Sequence, residues 1–324
     1  MCTAIDFTTR DHYFGRNLDL HADYGEAVVV TPRRYPFAFR RMGEMKTHHA
    51  MIGMALVARD YPLYFDATNE RGLSMAGLNF PGNAVYRPEE PGKDNVTPFE
   101  LIPWLLGQCA TVAEARPLLA RMNLLNEPFS EEMGLSPLHF ILCDRRECVV
   151  IEPVSEGLRV YENPAGVLTN NPPFPFQLFS LNNYMNVTRE LPVNRFAPAL
   201  PLERYCLGMG ALGLPGDPSS MSRFARAVFT KQNAVCGETE AESVSQFFHI
   251  LDAVAQQRGV TAAEDGDYEY TLYSSCVNTD RGVYYYKTYD SAQICCVDLH
   301  KEDLDAGKLI SYPQLRAWNV CEQN

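Results

Sequence analysis

The sequence predicts an α+β fold in which antiparallel sheets are covered by helices. Strand-like runs come in consecutive groups rather than alternating one by one with helices, which argues against a parallel, doubly wound sheet. Helix signals are few but well marked. The turn Asn278-Thr279-Asp280-Arg281-Gly282 joins two of the runs with strong hairpin chemistry. With 324 residues, 46% hydrophobic and 21% charged, the chain reads as one domain over 1–324 that buries a large core.

The elements follow in order. Cys2 to Phe7 alternates, Thr8 to His12 is polar, and Tyr13 to Asn17 is extended again, a hairpin. Antiparallel pairing about that turn sets Cys2 opposite residue 17 or 18 and brings Arg16 and Asp19 beside it. Strand-like runs then cover Met51 to Val57, Leu63 to Ala67 and Leu73 to Phe80. Thr111-Val112-Ala113-Glu114 is a capping box opening a helix to about Met122. Leu138 to Cys143, Val149 to Pro153 and Gly166 to Thr169 read as strands. Met185 to Gly216 is rich in Pro and Gly, a long connection of the kind that makes functional or intersubunit contacts. A helix carrying Arg223 follows Ser219-Ser220. Thr239-Glu240-Ala241-Glu242 caps another, to about Gln257, with Phe247, Phe248, Leu251 and Val254 on its core face. Tyr268 to Val277, Val283 to Thr288 and Gln293 to Leu299 close the chain as strands.

The net charge of -12 and pI of about 5.1 repel a phosphate backbone or an anionic membrane surface, so neither nucleic acid nor membrane is an expected partner. No basic segment leads into an apolar one at the start, and the chain is read as cytoplasmic. The 10 cysteines are then thiols. Cys143 and Cys148, and the adjacent Cys295 and Cys296, make no CxxC pair, and no metal site is expected. Gly208 to Gly213 matches GxGxxG, but Leu214-Pro215-Gly216-Asp217-Pro218 cannot continue as a helix, so the stretch is a loop. The sequons at Asn95 and Asn186 carry no meaning in the cytosol. His48-His49 reads as surface, and no histidine sits in a catalytic motif.

Cys2 stands out by position. Its small side chain permits removal of Met1, after which thiol and α-amine share one residue. An α-amine of pKa ~8 beside a thiol of ~8.5 is a competent base near neutrality. Arg16 favours the thiolate, and Asp19 can hold the amine. The competing reading is an ordinary globule with an incidental Cys2 and a surface Arg16–Asp19 pair.

Met1-Cys2-Thr3 followed by Phe14-Gly15-Arg16-Asn17-Leu18-Asp19 resembles the start of the choloylglycine hydrolases, the family of bile salt hydrolases and penicillin V acylases. Ala76-Gly77-Leu78-Asn79-Phe80-Pro81-Gly82 is similar to its GLNFPG loop and Leu168-Thr169-Asn170-Asn171-Pro172 to its LTNxP segment. Leu214-Pro215-Gly216-Asp217 through Ser222-Arg223-Phe224, Tyr273-Ser274-Ser275-Cys276 and Tyr285-Tyr286-Lys287-Thr288-Tyr289-Asp290 extend the resemblance to nearly the whole chain. It implies an N-terminal nucleophile fold, a four-layer αββα sandwich, with Cys2 as nucleophile beside Arg16 and Asp19. It also implies Asn79 and Asn170 at the oxyanion hole, Arg223 in the site, no cofactor, and a homotetramer whose intersubunit arm is 185–216. From residues alone, the two asparagines and Arg223 read equally well as turn formers and a surface helix residue. The substrate implied is an amphipathic amide, a glycine- or taurine-conjugated bile salt. Penicillin V and acyl homoserine lactones are the alternatives within the family. Asn79 favours the bile salt, since the penicillin acylases resemble a Tyr there. Leu18, Tyr24 and Leu135 are the suggested steroid contacts.

Overall fold

The computed structural model describes residues 1–263 and 266–324. Two antiparallel sheets form its centre. The first runs Val167–Leu168, Cys2–Thr8, His12–Leu20, Tyr268–Asn278, Val283–Thr288, Cys295–Asp298, with Thr261–Ala262 paired onto Tyr268–Asn278. The second runs Gly157–Glu162, Cys148–Val154, Leu138–Cys143, Ser74–Asn79, Tyr61–Asn69, Met51–Ala58, Ala27–Thr31, Ile310–Pro313.

Strand alternation builds the layers. Val28, Val30, Ile141 and Cys143 of the second sheet face the core shared with the first. Their neighbours Val29, Phe140 and Leu142 face a second core under the helices Leu101–Gln108 and Val112–Arg121. Beyond the first sheet, Ser220–Asn233 and Glu240–Asp252 contribute Phe224, Phe247 and Leu251. The order is helices, sheet, sheet, helices, the αββα arrangement that the resemblance implied. The first sheet is drawn tight at Gly15, where a Cβ would come within 2.0 Å of Ser275 O.

The sequence reading needs correcting in places. The helix from Glu240 ends at Asp252, short of Gln257. Its continuation is taken up by the neighbouring strand: Gln256 N donates to Thr271 Oγ1 at 2.8 Å and Thr271 N to Gln256 O at 3.1 Å. Only half of the Thr111 box forms, because the Glu114 carboxylate accepts from Ala110 N at 2.7 Å instead of from Thr111 N. His48 is buried, its ring bridging the carbonyls of His49 (2.7 Å) and Tyr35 (2.8 Å), so it fastens a turn to the core rather than lying on the surface. From Met185 to Gly216 the chain forms one short turn of 3₁₀ helix, Met209–Ala211, and no strand-to-helix step of the kind a dinucleotide loop needs.

Candidate active site

Register fixes the surroundings of residue 2. Cys2 pairs with Leu18 and Ala4 with Arg16, and residues opposite each other in an antiparallel pair share a face. The thiol and Arg16 therefore face the second sheet, while Thr3, Asn17 and Asp19 face the helices. Arg16 Nη1 donates to Phe65 O (2.9 Å) and Gly77 O (2.6 Å) of the second sheet. Asn17 Nδ2 donates to Leu251 O on the helix side at 2.9 Å.

A bulge in Tyr268–Asn278 serves both faces. Thr271 pairs with Asp19 and Tyr273 with Leu18, so one extra residue sits between the two pairs. Thr271 Oγ1 thereby reaches Asp19 Oδ1 at 2.7 Å on the helix side. Tyr273 OH donates to Asp66 Oδ2 at 2.8 Å across the sheets, where Tyr284 OH also meets Asp66 Oδ1 at 2.7 Å.

Fully buried charges surround the cysteine. Burial works against the Arg16 charge, but the fields of Cys2, Tyr273, Asp66 and Asp19 outweigh it and raise its pKa. Its Nη2 has no partner among the described residues. Burial pushes Asp19 above the ordinary carboxylate range, and Arg223 and the N-terminal ammonium offset this only in part. Asp19 Oδ2 is likewise buried without a hydrogen bond, 4.0 Å from Arg223 Nη1. Arg223, pushed below its usual pKa by burial, donates through Nη1 to Cys2 O and to Thr3 Oγ1 (2.7 Å), and through Nη2 to Asn170 Oδ1 (2.6 Å). This removes the surface-helix reading of Arg223.

Asn170 closes the ring. Its Oδ1 accepts from Cys2 N at 2.9 Å, and its Nδ2 donates to Asn79 O at 2.7 Å. Two donors on one side and a carbonyl on the other fix the amide orientation. The oxygen of Asn170 grips the nitrogen of residue 2, and one Nδ2 hydrogen is left over beside its bond to Asn79 O. Asn79 is half-buried at the end of Ser74–Asn79. With Met1 in place, the terminal amine donates to Asp19 O at 2.7 Å and meets the Glu269 carboxylate.

Cys2, Arg16, Asp19, Asn79, Asn170 and Arg223 thus come together. Of the suggested substrate contacts, strand pairing ties Leu18 to residue 2, but it is 2% exposed in the inter-sheet core. Tyr24 is 48% exposed and Leu135 half-buried, each on a connection. Sequence reading missed Asp66, Thr271, Tyr273, Tyr284 and Glu269 as supports. A lone acid inside the apolar run Leu63 to Ala67 was the available sign, because a buried charge needs partners. Among the described residues one metal-capable cluster exists, Asp6, Cys143 and Cys148, with ligand atoms within 4.8 Å of one another. Lys231 Nζ already binds Asp6, and burial raises both thiols, so a cation is poorly served there.

The profile of the family described as linear amide C–N hydrolases, choloylglycine hydrolase family, matches residues 2–312. The chain is 54% identical over 313 residues to the bile salt hydrolase/transferase of Lactiplantibacillus plantarum, covering 97% of each. It superposes on a crystal structure of the conjugated bile acid hydrolase from Clostridium perfringens with a TM-score of 0.93 at 32% identity, over all of both chains. The penicillin V acylase from Agrobacterium tumefaciens shares the fold, with a TM-score of 0.75 at 19% identity over 96% of this chain and 90% of the acylase.

Proposed function

The chain belongs to the choloylglycine hydrolase family of linear amide C–N hydrolases, and from that membership we propose that it cleaves the amide bond of glycine- or taurine-conjugated bile acids. The arrangement around residue 2 carries this reading: a cysteine at the strand start, its nitrogen on Asn170, its carbonyl on Arg223, and its thiol on the Arg16 face.

Removal of Met1 converts the Cys2 amide into an α-amine. Asn170 Oδ1 remains one acceptor for it, and Asp19 Oδ2, unpartnered while Met1 is present, is the second. The amine takes the thiol proton, and the sulfur forms a bond to the substrate carbonyl carbon. The C–N bond then breaks, and the proton passes from the amine to the departing glycine or taurine. Water, deprotonated by the same amine, attacks the thioester, releases the bile acid and restores the thiol. Arg16 stabilises the anionic sulfur. The remaining Asn170 Nδ2 hydrogen meets the developing oxyanion. These steps use no metal and no organic cofactor. An amine replacing water in the second step would make a new conjugate, and the name of the Lactiplantibacillus relative supports testing for this.

The chain works as a cytoplasmic homotetramer with 185–216 as the intersubunit arm. Met185, Phe196 and Leu207, 80%, 92% and 83% exposed, support that arm. No helix among the described residues is long and apolar enough to cross a membrane. The test is a panel of glycocholate, taurocholate, penicillin V and an acyl homoserine lactone. kcat/KM is expected to be highest for the conjugated bile salts. Preference for penicillin V over both bile salts overturns the substrate assignment and leaves the Cys2 chemistry intact.

A further inference from the structure

His139 lies in the second sheet, fully buried, and two of its contacts lead toward the residues around Cys2. Nε2 is 2.9 Å from Thr169 O, the carbonyl of the peptide unit whose nitrogen belongs to Asn170. The ring lies flat on Phe80, the residue after Asn79, with centroids 4.2 Å apart and planes at 6°. Nδ1 is 3.0 Å from Oε1 of Glu152, itself fully buried. A carbonyl only accepts, so Nε2 carries a proton. Nδ1 and Oε1 share a second one, and whichever holds it, the pair is neutral overall, which limits the cost of burying it. Glu152 Oε1 also accepts from Phe174 N at 2.9 Å, tying the pair to the helix Phe174–Ser180.

One imidazole thus touches both flanks of the Asn79–Asn170 contact. We propose that His139, held by Glu152, is a positioning residue for the amide hydrolysis, fixing Asn79 and Asn170 against each other at the reacting centre. This rests on the reading above, in which Asn170 serves Cys2. Hydrogen-bond donors accelerate a reaction only when they are set before it begins, and a displacement of about 1 Å costs ~10²-fold in rate. Ser220 Oγ holds the Asn170 N–H at 2.8 Å, but the opposite end of that peptide depends on His139.

The side-chain nitrogen of Gln reaches about as far as Nε2, and that of Asn about as far as Nδ1. His139→Gln therefore keeps a donor for Thr169 O, and His139→Asn loses it. For His139→Asn, kcat is expected to fall ~10–100-fold with KM within about twofold. The iodoacetamide labelling rate of Cys2 stays unchanged, since Arg16 is untouched. His139→Gln is expected to recover most of kcat. Phe80→Leu, which keeps apolar bulk and loses the stack, lowers kcat several-fold in folded enzyme. Kinetics are measured on whichever panel amide the wild type turns over, so failure on bile salts counts against the substrate and not against His139. Folded His139→Asn with kcat within twofold of wild type overturns the proposal. Equal kcat in the Gln and Asn variants, with their losses matching a loss of folded protein, overturns it as well and leaves a purely structural histidine.

Discussion

Asn170 has one orientation available, because Cys2 N and Arg223 Nη2 meet its oxygen and Asn79 O meets its nitrogen. Asn170→Ala is expected to lower kcat by roughly 10²–10³ while circular dichroism shows a retained fold. Normal specific activity in a reduced soluble fraction would mean that Asn170 only forms a turn. Arg16→Ala removes the cation on the thiol face, and iodoacetamide labelling of mature Cys2 at pH 7 should slow several-fold. An unchanged rate takes Arg16 out of the mechanism. That assay follows the Cys2 peptide by mass spectrometry, since Cys206, Cys296 and Cys321 are exposed and also react. Cys109, pushed up to about 11 by burial and by Glu114, stays silent. The hairpin made Arg16 and Asp19 legible in the sequence. The partners waiting on the two faces, Thr271 for Asp19 and Tyr273 on the Arg16 side, were less so, because their division depends on a bulge in a strand far along the chain.

The helix Ser220–Asn233 delivers Arg223, and its entry is set by Asp217. Asp217 Oδ1 accepts from Ser219 N at 3.0 Å and Oδ2 from Ser222 Oγ at 2.6 Å. These bonds to Ser219 and Ser222 lower its pKa from 3.8 to about 2. A carboxylate lowered on folding stabilises above its unfolded pKa and loses that contribution as pH falls through the folded value. The Tm gap between wild type and Asp217→Asn should therefore be full above about pH 4 and close toward about pH 2. A gap independent of pH would exclude Asp217 as an ionised cap. Elements with a clear period or cap were legible in the sequence, Leu138–Cys143 and Val283–Thr288 to the residue. Leu101–Gln108 was not: it is buried nearly all round and contains Pro103 and Gly107, so no stripe marks it. Ala27–Thr31 is a short continuous apolar run, which periodicity alone cannot classify.

At the scale of the whole molecule, the two cores on either side of the second sheet follow from alternation, but the stacking of the two sheets was legible only through the family resemblance. Local patterns do not say which sheet covers which. The proposed intersubunit arm makes a separate prediction: in the proposed tetramer, Phe196→Asp should shift the light-scattering mass toward smaller species, with each chain still folded. A monodisperse monomer in the wild type removes the arm's proposed role. The hold on Met1 has a consequence in time. Asp19 N donates to Met1 O at 2.9 Å, and the amine is held by Asp19 O and Glu269. An aminopeptidase needs a loose chain end, and this one is stitched into a sheet. The first residue leaves the ribosome at the outset, whereas Arg223 and Glu269 emerge on the order of tens of seconds later at ordinary synthesis rates. On the proposed mechanism, in which loss of Met1 frees the Cys2 amine, these contacts predict that trimming is faster before the chain folds than after it. A protein that folds with Met1 retained should stay inactive when methionine aminopeptidase is added to it. The same protein, unfolded and refolded with the peptidase present, should gain activity. Activation of the folded form at an equal rate would show that the end is not locked.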